Sequence, residues 1–205
     1  MRPHPDTVIF DLGGVLIDWN PRYLYRQLFD DEAAMERFLT EVCSPHWNEQ
    51  QDAGRPWAEA IASLSETHPE HADRIAAYRA RWPEMLGGVL DGTVTLLRAL
   101  KRRGVRLYAL TNWSHETFPI AQQRYDFLAW FEGIVVSGSE RLAKPDPAIF
   151  QRLISRYRID PARAVYIDDA PRNVSAAAQL GLDALLFREP SQLSDQLVQR
   201  GLLDG

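Results

Sequence analysis

The sequence predicts an α/β protein: a parallel sheet covered by helices, with a small helical insertion directly after the first strand. Three observations carry this. Short apolar runs rich in β-branched and aromatic residues alternate with helical patterns along most of the chain. That alternation stops between Asp18 and about Gly88, where only helical patterns are found. The chain has 205 residues, 45% hydrophobic and 25% charged, an ordinary globular composition able to bury a core without disulfides or metal.

The elements follow in order. Thr7-Val8-Ile9-Phe10 is the first strand. Helical segments are then predicted around Tyr23–Phe29, Glu32–Val42, Trp57–Glu66 and His71–Trp82, with no convincing strand among them. Residues 17–88 hold thirteen Asp/Glu against seven Arg, which leaves the rest of the chain near neutrality. From Thr93 to Arg103 a helix carries Val94, Leu96, Leu97 and Leu100 on one side. It ends in Lys101-Arg102-Arg103-Gly104, cations in the last turn and a glycine beyond it. Strands follow at 105–110 and 133–136. Asp146-Pro147 pairs an N-cap with proline at the first helical position and opens a helix through Tyr157. Ala164–Ile167 is the fourth strand, Asn173–Leu180 a helix closed by Gly181, 183–187 the fifth strand and 191–200 a last helix. The expected division is a core of residues 1–16 and 89–205, and an acidic helical cap of residues 17–88.

Composition excludes several classes. The single cysteine, Cys43, makes no internal disulfide. No apolar run approaches the ~18 residues of a membrane span, and Met1-Arg2-Pro3-His4-Pro5-Asp6 shows no signal peptide. A net charge of −5 argues against a nucleic-acid surface, which needs clustered cations. The expectation is a cytoplasmic protein, monomer or dimer, with neither a membrane nor a nucleic acid as partner. Of the 23 basic residues only Lys101 and Lys144 are lysine, so a lysine at a motif position is informative.

Ligands of open parallel sheets bind beyond the carboxyl ends of the strands. There the sequence places Asp11 after the first strand, Thr111-Asn112 after the second, Lys144-Pro145-Asp146-Pro147 a short loop after the third, and Asp168-Asp169 after the fourth. Each alone is an ordinary cap or turn. Together they put carboxylates, a hydroxyl, an amide and a cation at one sheet edge. Asp11 beside Asp169 is a hard oxygen site suited to Mg²⁺. Thr111 and Asn112 offer hydrogen bonds to phosphate oxygens, and Lys144 offers charge for a phosphoryl transition state.

In this order, Asp11-Leu12-Gly13-Gly14-Val15-Leu16, Leu110-Thr111-Asn112, Lys144-Pro145-Asp146-Pro147 and Ile167-Asp168-Asp169 resemble the motifs of the haloacid dehalogenase-like (HAD) hydrolase superfamily, over essentially the whole chain. The resemblance implies a Rossmann-like core with a helical C1-type cap. It implies a Mg²⁺-dependent phosphatase acting on a small phosphate ester, with Asp11 forming an aspartyl-phosphate and Thr111 and Lys144 binding the phosphoryl group. Mg²⁺ would be held by Asp11, the Gly13 carbonyl and Asp169, helped by Asp168. One position departs from the pattern. Phosphatases of the superfamily typically carry a general acid two residues after the nucleophile, and here that residue is Gly13. The Asp-Leu-Gly-Gly-Val-Leu form itself resembles a subgroup acting on small sugar phosphates. Asp18 and His115 are the candidates for the missing acid.

Two other readings remain. A 2-haloacid dehalogenase would use the same Asp11 without metal, but typically shows an aromatic residue where Leu12 stands and has no need of Asp168-Asp169. Arg22 or Arg26 would then hold a substrate carboxylate or halide. A catalytically weak phosphate-binding protein has only Gly13 in its favour. His68 and His71 flank Pro69 in acidic surroundings and read as a solvated turn. The aromatic stretch from His46 to Trp57 is either cap core or a substrate-specificity loop.

Overall fold

The computed structural model describes residues 3–204. Met1, Arg2 and Gly205, to which the N-terminal reading and the outer limits of the expected core extend, lie outside the described residues. The chain begins with β1 (Thr7–Phe10), followed by β2 (Ile17–Trp19). Five helices come next: α1 (Arg22–Tyr25), α2 (Glu32–Arg37), α3 (Pro45–Asp52), α4 (Trp57–Thr67) and α5 (Ala72–Ala80), α2 running on as a π-helical turn over Phe38–Val42. Then follow β3 (Leu86–Val89), α6 (Asp91–Arg102), β4 (Arg106–Thr111), α7 (Phe118–Arg124), β5 (Gly133–Val136) and α8 (Ser137–Glu140). The chain closes with α9 (Pro147–Tyr157), β6 (Ala164–Asp168), α10 (Pro171–Gln179), β7 (Asp183–Leu186) and α11 (Pro190–Gln199).

Five strands form one sheet in the order β5-β4-β1-β6-β7, every pair parallel. β1 lies at the centre, between β4 (Phe10 opposite Ala109) and β6 (Phe10 opposite Ile167). Both faces are buried: Val8 and Phe10 join one apolar cluster and Ile9 the other, while the Thr7 hydroxyl donates to Asp6 at 2.8 Å. The predicted stops hold as well. Gly104 and Gly181 take φ of +73° and +88°, values open to glycine. Asp146 caps α9 by accepting from the Ala148 N–H at 2.8 Å.

The insertion differs from expectation in two respects. It is not wholly helical: β2 and β3 pair antiparallel, Ile17 opposite Val89, as a two-stranded ribbon at its root. And residues 45–52, which lack a clear apolar periodicity, form α3, started by the Ser44 hydroxyl accepting from Trp47 N at 3.2 Å and by Pro45 in the first turn. The first predicted helix is shorter, ending at Tyr25, and the loop before Lys144 contains the single turn α8. His68 and His71 both sit beside the Glu70 carboxylate in a 3-10 turn.

The helices over residues 22–80 pack around aromatic rings. Trp57 stacks on Tyr78 at 5.5 Å, Trp47 meets both edge-on at 5.5 and 5.2 Å, and Tyr25 joins Tyr78 to Phe38 at 5.9 and 5.0 Å. Rings of this size contribute on the order of 3 kcal/mol each when buried. This apolar cluster is continuous with the one under the sheet, through Leu12, Val15, Leu16, Trp82 and Trp113. Polar bonds reinforce the junction. The Trp57 indole donates to Ser114 Oγ at 3.0 Å, the Trp57 main-chain N–H donates to Glu116 at 2.9 Å, and Ser137 Oγ donates to the Asp52 carbonyl. Gly54, at φ +101°, lets its backbone pass so close to the Gly138 carbonyl that a Cβ would stand 2.9 Å from it. No helix among the described residues is long and apolar enough to cross a membrane.

Candidate active site

The carboxyl ends of β1, β4 and β6 meet at one point, and the geometry there is set by a buried ammonium. Lys144 Nζ stands 2.8 Å from Asp11 Oδ2 and 2.7 Å from Asp168 Oδ2, and its side chain is 1% exposed. Burial on its own disfavours the charge, but Asp11 and Asp168 outweigh this and hold the Lys144 pKa above its ordinary value. Asp11 Oδ1 accepts the Leu12 N–H at 2.7 Å, leaving Oδ2 to Lys144. Its carboxyl is pushed up, first by burial and then by Asp168 and Asp169, against the pull of Lys144.

Asp168 is saturated with donors. Lys144 Nζ, the Tyr166 hydroxyl, the Ala170 N–H at 2.9 Å and Asn173 Nδ2 at 3.0 Å all give hydrogen bonds to it. Burial lifts its carboxyl, but the Lys144 charge and these donors prevail and hold it below the ordinary carboxylate range. Asp169 is exposed and points the other way. Its carboxylate lies against the turn after β1, where a Cβ on Gly14 would stand 2.3 Å from Oδ2, and Gly14 has φ +72°. Burial and the neighbouring Asp168 raise the Asp169 carboxyl.

Carboxylate oxygens of Asp11, Asp168 and Asp169 lie within 4.8 Å of one another. Three carboxylates around one ammonium leave an excess of negative charge where two of the acids are already raised. An all-oxygen donor set of this kind fits a hard divalent cation, which would relieve the repulsion.

Two of the residues expected here also hold Lys144 in place. The Asn112 side chain braces the main chain of Lys144, donating from Nδ2 to its carbonyl at 2.9 Å and accepting its N–H at 2.8 Å, and it also lines the cavity above the cluster. Asp168, expected beside the metal, holds Lys144 in place and keeps a carboxylate oxygen within the three-carboxylate cluster. Thr111 is buried at the end of β4 and does not line the cavity.

Above the cluster a cavity of about 520 Å³ opens between the sheet edge and the inserted helices. Asp11, Gly13, Gly14, Lys144 and Asp169 form its floor, and Trp19, Tyr78, Trp82 and Trp113 are aromatic parts of its wall. Neither expected acid faces it. Asp18 is taken by the Tyr23 hydroxyl at 2.6 Å and His115 is exposed; both are absent from the lining. Within the stretch from His46 to Trp57, Trp47 and Trp57 pack inward, whereas Asn48, Glu49 and Asp52 line the cavity. Arg172, on α10, reaches across the mouth to Glu49 at 2.5 Å.

Asp52 was not singled out by the sequence, since its setting exists only once α3 folds over the sheet edge. It accepts from Asn48 Nδ2 at 2.9 Å and from the Ser114 main-chain N–H, and burial pushes its carboxyl up to about 7. A carboxyl raised in the folded state stabilises fully below its ordinary value of 3.8 and loses that contribution as the pH climbs through about 7. Asp52→Asn is therefore expected to reduce the fall in Tm of the metal-free protein between about pH 4 and pH 7. Asp11 and Asp169, raised in the same sense, contribute to the slope that remains. Thermal unfolding across that range checks it: an unchanged slope would show that Asp52 does not titrate there.

The fold is a doubly covered parallel sheet whose central strand ends in a carboxylate, paired with a lysine from the loop after α8 and set beside an aspartate at the end of β6. The haloacid dehalogenase-like hydrolase family model matches residues 5–181, and the chain belongs to that family. It is 28% identical over 180 residues to the sesquiterpene phosphatase astK of Aspergillus oryzae, covering 87% of this chain and 88% of that protein. It is 30% identical over 212 residues to the phosphoglycolate phosphatase of Rhodospirillum rubrum, covering 91% and 83%. Among solved structures, a HAD family enzyme of Bacteroides thetaiotaomicron superposes with a TM-score of 0.72 at 22% identity, over 95% of this chain and 99% of that one. The protein is a hydrolase of this fold.

Proposed function

We propose that the protein is a Mg²⁺-dependent phosphatase of a small phosphorylated metabolite, a sugar phosphate or a molecule of similar size, with Asp11 as nucleophile. The observation that carries this is the charge pattern of the floor: a buried Lys144 fixed between Asp11 and Asp168, with Asp169 across from Asp11 completing an oxygen site. Its phosphatase relatives agree with this reading. In it, residues 17–88 are the cap and residues 1–16 with 89–205 the core.

Asp11 and Asp169, with the Gly13 carbonyl, would hold Mg²⁺, which supplies neutralising charge between the carboxylates and the phosphate. Asp11 Oδ attacks phosphorus in line; the bond to the leaving oxygen breaks and an aspartyl-phosphate forms. Lys144 draws off charge on the phosphoryl oxygens, with Asp168 keeping it charged and in place. Water then releases inorganic phosphate.

A panel of phosphate esters assayed with Mg²⁺ and with chelator tests the reading. Turnover of an aryl phosphate is expected with Mg²⁺, to be lost in chelator and recovered on adding Mg²⁺ back. Hydrolysis of short halo-acids without metal, and of no phosphate ester, would replace it by the dehalogenase reading.

A further inference from the structure

A leaving alkoxide needs a proton as the P–O bond breaks, and the residue after Leu12 has no side chain to give one. Position 13 is not glycine for want of room, because a Cβ there would meet nothing within 4 Å. The proton must come from elsewhere in the cavity. Among the described residues four carboxyl side chains line it: Asp11, Glu49, Asp52 and Asp169. Asp11 is the nucleophile of the proposed reaction, and Asp169 belongs to the cation site. Glu49 is paired with Arg172 at the mouth.

Other proton carriers are poorly matched. Burial lifts the Tyr78 hydroxyl well above its ordinary range and the Cys43 thiol to about 12, so neither releases a proton readily. Lys144 Nζ is committed to Asp11 and Asp168. Asp52 lies outside the cation site and has no ion-pair partner among the described residues. Its two donors, Asn48 Nδ2 and the Ser114 N–H, fix its orientation. The titratable groups that bear on it are Glu49 on its own helix and Tyr78 on α5, while the core side presents the uncharged Ser114 and Ser137.

We propose that Asp52, carried in by the inserted helices, is the general acid that protonates the leaving-group oxygen. This rests on the phosphatase reading above. In the first step Asp11 forms its bond to phosphorus, the P–O bond to the organic group breaks, and the Asp52 carboxyl proton passes to the departing oxygen, giving the free alcohol. In the second, the Asp52 carboxylate takes a proton from water as that water attacks the aspartyl-phosphate. Inorganic phosphate leaves, Asp11 is freed and Asp52 is protonated again. Its carboxyl near 7 suits both halves of the cycle.

The test is kcat/KM for a leaving-group series, from aryl to alkyl phosphates with Mg²⁺, in wild type, Asp52→Asn and Asp52→Asn/Gly13→Asp. In Asp52→Asn, alkyl phosphates are expected to slow by ~10²-fold or more and aryl phosphates far less. The alkyl-to-aryl ratio is read on one preparation, so any loss of folded protein cancels from it. Gly13→Asp, entering open space, is expected to recover part of the alkyl rate. The fall of the alkyl rate above about pH 7 should vanish in Asp52→Asn. A parallel loss on both substrate classes, or an unchanged ratio, would overturn the assignment and leave the phosphatase reading standing. A wild type that hydrolyses neither class with Mg²⁺ would remove both.

Discussion

Asp11→Asn is expected to leave a folded protein with turnover reduced by roughly 10⁴-fold or more, the scale on which enzymes lose a covalent nucleophile. The fold should tolerate it. The asparagine carbonyl can still accept the Leu12 N–H, and Lys144 keeps its contact with Asp168. Removing one of three crowded carboxylates also relieves the repulsion that raises Asp11 and Asp169. The expected signature is thus a null enzyme with a Tm equal to or above that of wild type. Single-turnover assays with an aryl phosphate and thermal unfolding of the same preparation decide it. Residual activity within tenfold of wild type would show that the attacking group is not Asp11.

Lys144→Met should act in the opposite way, through stability as much as rate. The methionine fills much of the same space but strands Asp11 and Asp168 as uncompensated anions. Breaking a buried ion pair in this manner typically costs about 3–5 kcal/mol, a large part of the total stability of a domain. The urea midpoint is expected to fall accordingly at neutral pH, and to recover on acidification as the carboxylates are protonated. In the double variant Lys144→Met/Asp168→Asn the loss should be smaller than in Lys144→Met alone, because one of the stranded charges has gone. Equal midpoints for the two would mean that Asp168 does not depend on Lys144.

The sequence made the floor of the site legible because each of its residues abuts a strand buried on both faces. A polar side chain at the end of Val8-Ile9-Phe10 or Val165-Tyr166-Ile167 stands out against an apolar run. Thr111 was placed beyond its strand, and β4 in fact runs through it. The ribbon was not legible: β2 has three residues, one of them Asp18, and β3 contains Gly87-Gly88, so neither shows an apolar alternation. Helix α3 was hidden for a related reason. Asn48-Glu49-Gln50-Gln51-Asp52 is polar throughout and only Trp47 marks a buried face, although Ser44-Pro45 announced its start. The work of Asn112 and Asp168 depends on Lys144 arriving from a distant loop, and that of Asp52 on a helix folding back over the sheet edge. Neither relation is local in the chain.

The central position of β1 bears on how the molecule comes into being. Its hydrogen-bonding partners are Arg106–Ala109 on one side and Ala164–Ile167 on the other. During synthesis this apolar strand precedes both its partners and waits, unpaired on one edge, until residues 164–167 have been made. The inserted helices can meanwhile gather around Tyr25, Phe38, Trp57 and Tyr78, contacts closer in the chain and faster to form. Chains released before β6 therefore expose an unprotected hydrophobic edge, the kind of species that aggregates or recruits chaperones. Asp11 gains its companion aspartates only when β6 docks. The carboxylate cluster is thus assembled only once β1 and β6 lie side by side.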